Sequence, residues 1–203
     1  MGIISRKERE KEEMRQLILG AALKLFREKG YEGVSIRNIA EAIEYSPATI
    51  YLYYKDKSEI FFALQYEAAA LKRDHIMPVS RIEDPWERLV AFGRRYIDFG
   101  MKHPDLYDLL FITRTPMESI ENQDCWKLGI ATHSFFAETV QACVDARYFK
   151  STDTETIAYT LWCHAHGLVS LFVRERMRMY PEEKRAELAK KSFEMVVKMA
   201  ESL

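Results

Sequence analysis

Apolar positions along the chain step by three and four rather than by two, a pattern that predicts amphipathic helices and no strand. Ile18, Ala21, Ala22, Leu25 and Phe26 form the first stripe, closed by Lys29 and Gly30, a basic last turn and a residue suited to a left-handed cap. Ser35 precedes a second, shorter stripe of Ile36, Ile39, Ala40 and Ile43. Ser46-Pro47, a cap followed by proline at the first helical position, opens a third helix reaching Tyr54. Asp56-Lys57-Ser58-Glu59 has capping-box spacing and starts a fourth helix through Phe61, Leu64 and Leu71 to about His75. Asp84-Pro85-Trp86-Glu87 opens a fifth that runs to about His103, where Pro104 begins a sixth. A seventh is expected from about Ser119 to Tyr148. Thr152-Asp153-Thr154-Glu155 opens an eighth to about Tyr180, and Pro181-Glu182-Glu183 starts the last. Pro78 to Glu83 and Arg114 to Glu118 are the irregular stretches. The expectation is an all-α chain of about nine helices.

Composition narrows the class without naming a function. With 203 residues, 48% hydrophobic and 30% charged, the chain suits one large domain or two small ones and excludes low-complexity classes. No apolar run approaches the roughly 18 residues of a spanning helix, so no membrane partner is expected. Met1 to Glu13 mixes Arg, Lys and Glu without an apolar core, unlike a secretory leader. Cys125, Cys143 and Cys163, odd in number and widely spaced, fit buried thiols in a reduced, cytoplasmic protein. Lys plus Arg number 30 against 31 Asp plus Glu, a net charge of −1. Residues 1–60 carry 11 basic and 10 acidic side chains, so any DNA contact must come from local placement.

Local placement is what the first sixty residues offer. Two short helices joined by a tight turn, Ser35–Ile43 and Ser46–Tyr54, have the proportions of a helix-turn-helix. The first buries Ile36, Ile39, Ala40 and Ile43, which leaves Arg37, Asn38 and Glu41 outward. The second buries Ile50 and presents Pro47, Ala48, Thr49 and Tyr51, small and aromatic side chains that let a helix approach base edges. Tyr51, Lys55 and Lys57 suit phosphate oxygens. By pattern alone an ordinary helical hairpin fits equally well.

The run Val34-Ser35-Ile36-Arg37-Asn38-Ile39-Ala40, then Ser46-Pro47-Ala48-Thr49-Ile50-Tyr51, then Tyr53-Tyr54-Lys55-Asp56-Lys57, resembles the DNA-binding region of the TetR family of bacterial transcriptional repressors. The resemblance covers roughly residues 14–64 and implies a dimer whose N-terminal three-helix domains enter successive major grooves of an operator. It also implies a helical C-terminal domain that binds a small inducer, and a division into 1–57 for DNA and 58–203 for effector and dimerisation. On this resemblance Arg37 and Thr49 are base-contact candidates, Tyr51 and Lys57 phosphate contacts, and Tyr54 a packing residue. Where the family usually has glycine in the turn, this chain has Glu44, for which a left-handed conformation costs about 1–2 kcal/mol. Farther along, Trp162, His166 and Gly167 look like the Trp-His-Gly signature of one C-terminal subgroup.

In the C-terminal part, Trp126, Ile130, His133, Ala137, Val140 and Val144 recur at helical spacing, with Trp86, Leu89, Val90, Gly93, Tyr96 and Gly100 on the fifth helix and Phe111 on the sixth. These either form plain core or surround an apolar pocket between helices five to eight with few polar anchors. The pocket candidates are Tyr96, Phe111, Trp126, Ile130, His133 and Trp162, with His133 read either as a core histidine or as a ligand contact. For dimerisation, helices eight and nine offer Leu161, Leu168, Leu171, Phe193 and Val196, unless both stripes face their own core. His164 and His166 lie two apart and diverge by about 200° on a helix, so with Cys163 they form no metal site. No cofactor is expected, and no phosphate loop or nucleophile motif suggests an enzyme. The alternative to a repressor is a helical ligand-binding or structural protein without specific DNA binding.

Overall fold

The computed structural model describes residues 6–114, 123–150 and 153–200. Its first helix, α1 (Arg6–Lys29), ends at Gly30 with φ +70°, the left-handed cap that Lys29-Gly30 predicts. Side-chain caps set where most later helices begin. Ser35 and Asn38 exchange both bonds of a capping box ahead of α2 (Ile36–Ala42). Ser46 caps α3 (Pro47–Tyr51) through the Thr49 amide, and Asp56 caps α4 (Lys57–Ile76) through the Glu59 amide. Asp84 does the same for α5 (Pro85–Lys102) through Glu87. Then follow α6 (Pro104–Phe111), α7 (Asp124–Asp145), α8 (Thr154–Val173), capped by Asp153, and α9 (Glu182–Ala200). Such caps stabilise a helix by roughly 1 kcal/mol each. The described residues contain nine α-helices and no strand.

Several boundaries differ from the expectation. Helix α3 stops at Tyr51, three residues early, because Leu52, Tyr53 and Tyr54 turn back onto it through bonds to Thr49 and Ile50. The expected irregular stretch at Pro78 is largely a 3-10 turn, Met77–Arg81. Helix α8 ends at Val173 rather than near Tyr180, since Glu175 at φ +50° redirects the chain. Leu71, expected to be buried, is 43% exposed, whereas its neighbour Lys72 is 7% exposed. The expected start at Ser119, the stretch from position 115 to Glu118, and Thr152 lie outside the described residues.

Two apolar cores result. The first surrounds Phe26 and Phe61, whose rings meet edge-on at 5.4 Å, and holds Ile18, Ala22, Ile39, Ile50 and Tyr54 from the first three helices and the turn that follows α3. The second gathers Phe92, Tyr96, Phe99, Tyr107, Val140 and Val169 from α5 to α8. Helix α4 serves both, with Ile60, Phe61, Leu64 and Ala68 in the first and Ile76 in the second. Helix α6 also joins them: Leu109 enters the first core, Tyr107 the second, and Asp105 pairs with Arg27 of α1 at 3.0 Å. The buried Gln65 side chain donates to the Leu109 carbonyl at 3.2 Å, which fastens α4 to α6.

Helix α5 is the seat for α8 and α9. A Cβ at Gly100 would lie 2.2 Å from Val169 Cγ1, and one at Gly93 would lie 2.6 Å from Phe193 Cζ, so both positions require glycine's missing side chain. Helix α8 corrects the expectation about apolar runs: it has 20 residues and a mean hydropathy of 1.2, enough by length and composition to cross a membrane. Here it packs against α5, α7 and α9 instead.

Candidate functional site

The α2–α3 turn closes as a Schellman motif. The Tyr45 amide donates to the Ala40 carbonyl at 2.9 Å and the Glu44 amide to the Glu41 carbonyl at 3.2 Å. Glu44 sits at φ +59°, so it adopts the left-handed conformation normally given to glycine, and the turn keeps its ordinary geometry at the cost of strain. Behind α3, Ile50 is fully buried and fixes the helix on the first core. In front, Ser46, Pro47, Ala48 and Tyr51 are exposed and Thr49 is half-buried, its hydroxyl 3.1 Å from that of Ser46. Arg37 and Lys55 are exposed, with no ion-pair partner among the described residues. Leu52, 78% exposed, and Tyr45 join this surface unannounced, since an apolar residue just after a short helix reads as core.

Lys57 is placed differently from the other candidates. Its ammonium donates to the Tyr31 carbonyl at 2.8 Å and lies 4.1 Å from the centre of the Tyr31 ring. The side chain is a half-buried brace between the start of α4 and the loop after α1, not a free phosphate contact. Tyr54 is buried, as its reading as a packing residue requires, beneath the Arg15 guanidinium at 4.7 Å.

The second site is a cavity of about 460 Å³ walled by α4, α5, α6, α7 and α8. Tyr96, Phe111, Trp126, Ile130, His133 and Trp162 all line it, so the six pocket candidates converge on one space. His133 is exposed rather than a core histidine. Sequence reasoning missed Gln65, Ala69 and Lys72, which α4 presents to the cavity at spacings of four and three, and also Phe92, Thr113, Cys125, Thr132 and Phe136.

Most polar groups on this wall have a partner inside the protein. Besides the Gln65–Leu109 bond, Thr132 donates to the Leu128 carbonyl and Thr113 to an Asp108 carboxylate oxygen. The Trp162 indole donates to the Tyr96 hydroxyl at 3.2 Å, which contacts the Tyr107 hydroxyl at 2.9 Å. Tyr107 in turn reaches His166 Nδ1 at 2.7 Å, and His166 Nε2 reaches Ser170. Burial, opposed by these bonds, pushes the Tyr96 phenol up to about 12. Trp162 and His166 are thus structural anchors, while Gly167 faces open space.

Three polar side chains of this wall make no hydrogen bond among the described residues: His133, Trp126 and Lys72. The Lys72 ammonium lies 4.9 Å from the centre of the Phe111 ring, and burial lowers its pKa to about 8. Cys163, His164 and His166 do not converge. Cys163 is exposed, His164 lines a separate small cleft between α5, α8 and α9, and His166 is tied to Tyr107.

The expected dimer residues divide. Leu171 is exposed, whereas Leu161 and Leu168 pack on the second core. Phe193 and Val196 face α5 and α8 of their own chain, a correction forced by Phe193 seating on Gly93. The apolar side chains that α8 and α9 turn outward are Tyr159, Leu171, Met195 and Met199.

Comparisons with known proteins agree with this architecture. The family described as bacterial regulatory proteins, tetR family, matches residues 18–64, and the tetracyclin repressor-like C-terminal domain matches residues 89–199. The transcriptional regulator HbdR of Aromatoleum sp. (strain CIB) is 45% identical over 157 residues, 77% of this chain and 69% of that protein. The transcriptional repressor AcnR of Corynebacterium efficiens is 37% identical over 78 residues, 35% of this chain, and the match spans only 42% of that repressor. The crystal structure of AibR in complex with isovaleryl coenzyme A and operator DNA has the same fold, with a TM-score of 0.69 at 18% identity over 89% of this chain and 96% of that one.

Proposed function

The chain belongs to the TetR family of bacterial regulatory proteins, and from that premise we propose that it is a ligand-responsive transcriptional repressor. In this reading a cytoplasmic homodimer binds an inverted-repeat operator and releases it when a small, mainly apolar molecule fills the cavity. It acts by binding, not by catalysis. The observation that carries the reading is α4: one helix both completes the core beneath α3 and walls the cavity with Gln65, Ala69 and Lys72. A molecule that changes the position of this wall changes the pose of the reading head. AibR, captured with an acyl coenzyme A and operator DNA, supports the idea that this fold answers to both.

Residues 1–57 form the DNA-reading part and 58–203 the effector and dimerisation part, with α4 passing from the boundary into the second core. Arg37, Pro47, Ala48 and Thr49 face base edges; Ser46, Tyr51 and Lys55 take phosphates; Lys57 holds the head in shape. The dimer forms through the outward faces of α8 and α9, with Leu161, Leu168, Phe193 and Val196 supporting that surface from behind. This accounts for the apolarity of α8 beyond what its own core uses.

The test is selection of duplexes from a random pool, followed by salt and ligand titration. A two-fold symmetric sequence should emerge, with half-site centres about 34–36 Å apart or a multiple of it. The logarithm of its affinity should fall linearly with the logarithm of the salt concentration. Arg37→Ala and Thr49→Ala should change which sequence is selected. An effector that couples by about 1–3 kcal/mol should weaken the complex roughly 5–150-fold. A pool without enrichment, or a monomer by light scattering, would refute the reading.

A further inference from the structure

We propose that the effector is an organic monocarboxylate with an apolar body, and that the Lys72 ammonium receives its charge. The inference deepens the repressor reading and rests on it for the purpose of the cavity.

Lys72 is an unusual wall residue. It is 7% exposed, and no described carboxylate lies within ion-pair distance of it. Acidic groups of the neighbouring helices are engaged elsewhere: Asp98 with His75 and Lys102, Asp108 with Arg174, and Asp105 with Arg27. An ammonium removed from water without a counterion is strongly disfavoured unless a partner arrives. The ring of Phe111 gives it only a cation–π contact.

The rest of the wall defines what that partner looks like. Gln65, Thr113, Thr132, Tyr96 and Trp162 already bond within the protein, so they offer a ligand little beyond packing surface. Phe111, Trp126 and Trp162 offer flat apolar area. The volume of about 460 Å³ falls within the roughly 300–1,000 Å³ of ordinary small-molecule sites. A neutral apolar occupant would strip the last water from the ammonium and gain nothing for it. A carboxylate replaces that water with a charge-assisted hydrogen bond in a medium of low polarity. Because Lys72 lies fifteen residues beyond Lys57, about 22 Å along α4, the charge is engaged on the helix that ends at the reading head.

The experiment compares 3-phenylpropionate with its neutral isostere 3-phenylpropanamide on the full chain, by quenching of Trp126 and Trp162 fluorescence. Operator binding is followed in parallel. The wild type should prefer the acid by at least about tenfold, or ~1.4 kcal/mol. Lys72→Met should abolish that preference, and Lys72→Arg should keep it. Equal or better binding of the amide by the wild type, undiminished binding of the acid by Lys72→Met, or no quenching by millimolar acid would each overturn the assignment. So would Lys72-dependent binding confined to 3-phenylpropionyl coenzyme A, whose charges lie on its phosphates. If the acid binds through Lys72 while operator affinity stays constant, Lys72 stands as a carboxylate site and the repressor reading falls. If operator affinity drops equally in wild type and Lys72→Met, the reading stands and the assignment falls.

Discussion

In the reading head the interior is closed: Ile18, Ala22, Ile39, Ala40, Ile50 and Ile60 are fully buried around Phe26 and Phe61. In the effector half a comparable set of aromatic side chains surrounds a void of about 460 Å³ and an unpaired ammonium. The head starts its helices with local surface caps, each bond spanning three residues of chain, and adds the longer Lys57–Tyr31 brace. The effector half holds polar groups inside, in bonds that join distant helices such as Tyr107 to His166. A close-packed interior keeps α3 in one pose, which sequence reading of DNA demands. A hollow one sacrifices stability for a place that a ligand can fill.

That contrast is open to direct attack, most strongly through matched aromatic deletions. Phe61→Ala should destabilise the chain by about 3–5 kcal/mol, the loss of a fully buried ring plus the cavity left behind. Trp126→Ala, at a half-open cavity wall, should cost about 1 kcal/mol or less while weakening ligand quenching. Urea unfolding of the two variants decides it; equal losses would mean that the effector interior is as closed as the head.

Next comes the buried charge. Burial lowers the Lys72 pKa to about 8 from 10.5, so between those values the unfolded chain retains a proton that the folded chain releases. Stability contributed by this group therefore rises with pH from about 8 to 10.5, and the full penalty applies below pH 8. Lys72→Met should stabilise the ligand-free protein by about 3 kcal/mol at pH 7, since each tenfold loss of proton affinity on folding corresponds to about 1.4 kcal/mol. The gain should vanish toward pH 10.5. Denaturant titrations at both pH values measure it, and a gain independent of pH would point to packing instead.

The smallest effect belongs to the head. Glu44→Gly should raise stability by about 1 kcal/mol by relieving the left-handed strain. A thermal melt of the variant that shows no increase would place the relaxation elsewhere in the turn.

The head was readable in the sequence because its signals are short-range. Ser35, Ser46 and Asp56 each act on an amide three residues on, and the resemblance to a known reading head rests on short runs of contiguous residues. The aromatic candidates of the cavity were readable too, as stripes at helical spacing. Lys72 was not, because a lysine beside a leucine on an amphipathic helix reads as the exposed member of the pair. Tertiary packing reversed that order, turning Leu71 out and Lys72 in. Lys57 misled for a related reason: nothing local announces that the Tyr31 carbonyl, 26 residues earlier, captures its ammonium. Phe193 and Val196 carried the same hydrophobic signal whether they met a partner or their own α5, and only the notch at Gly93 chose between these.

Gly93 and Gly100 stand two turns apart on α5, each occupied by a side chain from another helix, Phe193 of α9 and Val169 of α8. Interlocked in this way, the three helices resist shear, since sliding any of them drives a ring or a methyl group into backbone. The wall formed by α4 and α6 has no such notch and borders the cavity on its inner side. The block of α5, α8 and α9 is thus one mount, and the cavity separates it from α4, with Phe92, Tyr96 and Trp162 on one side and Gln65, Ala69 and Lys72 on the other. In a dimer joined through α8 and α9, the two mounts stay in register. On the proposed repressor reading, the span between the paired α3 helices is then the quantity that a bound molecule would adjust.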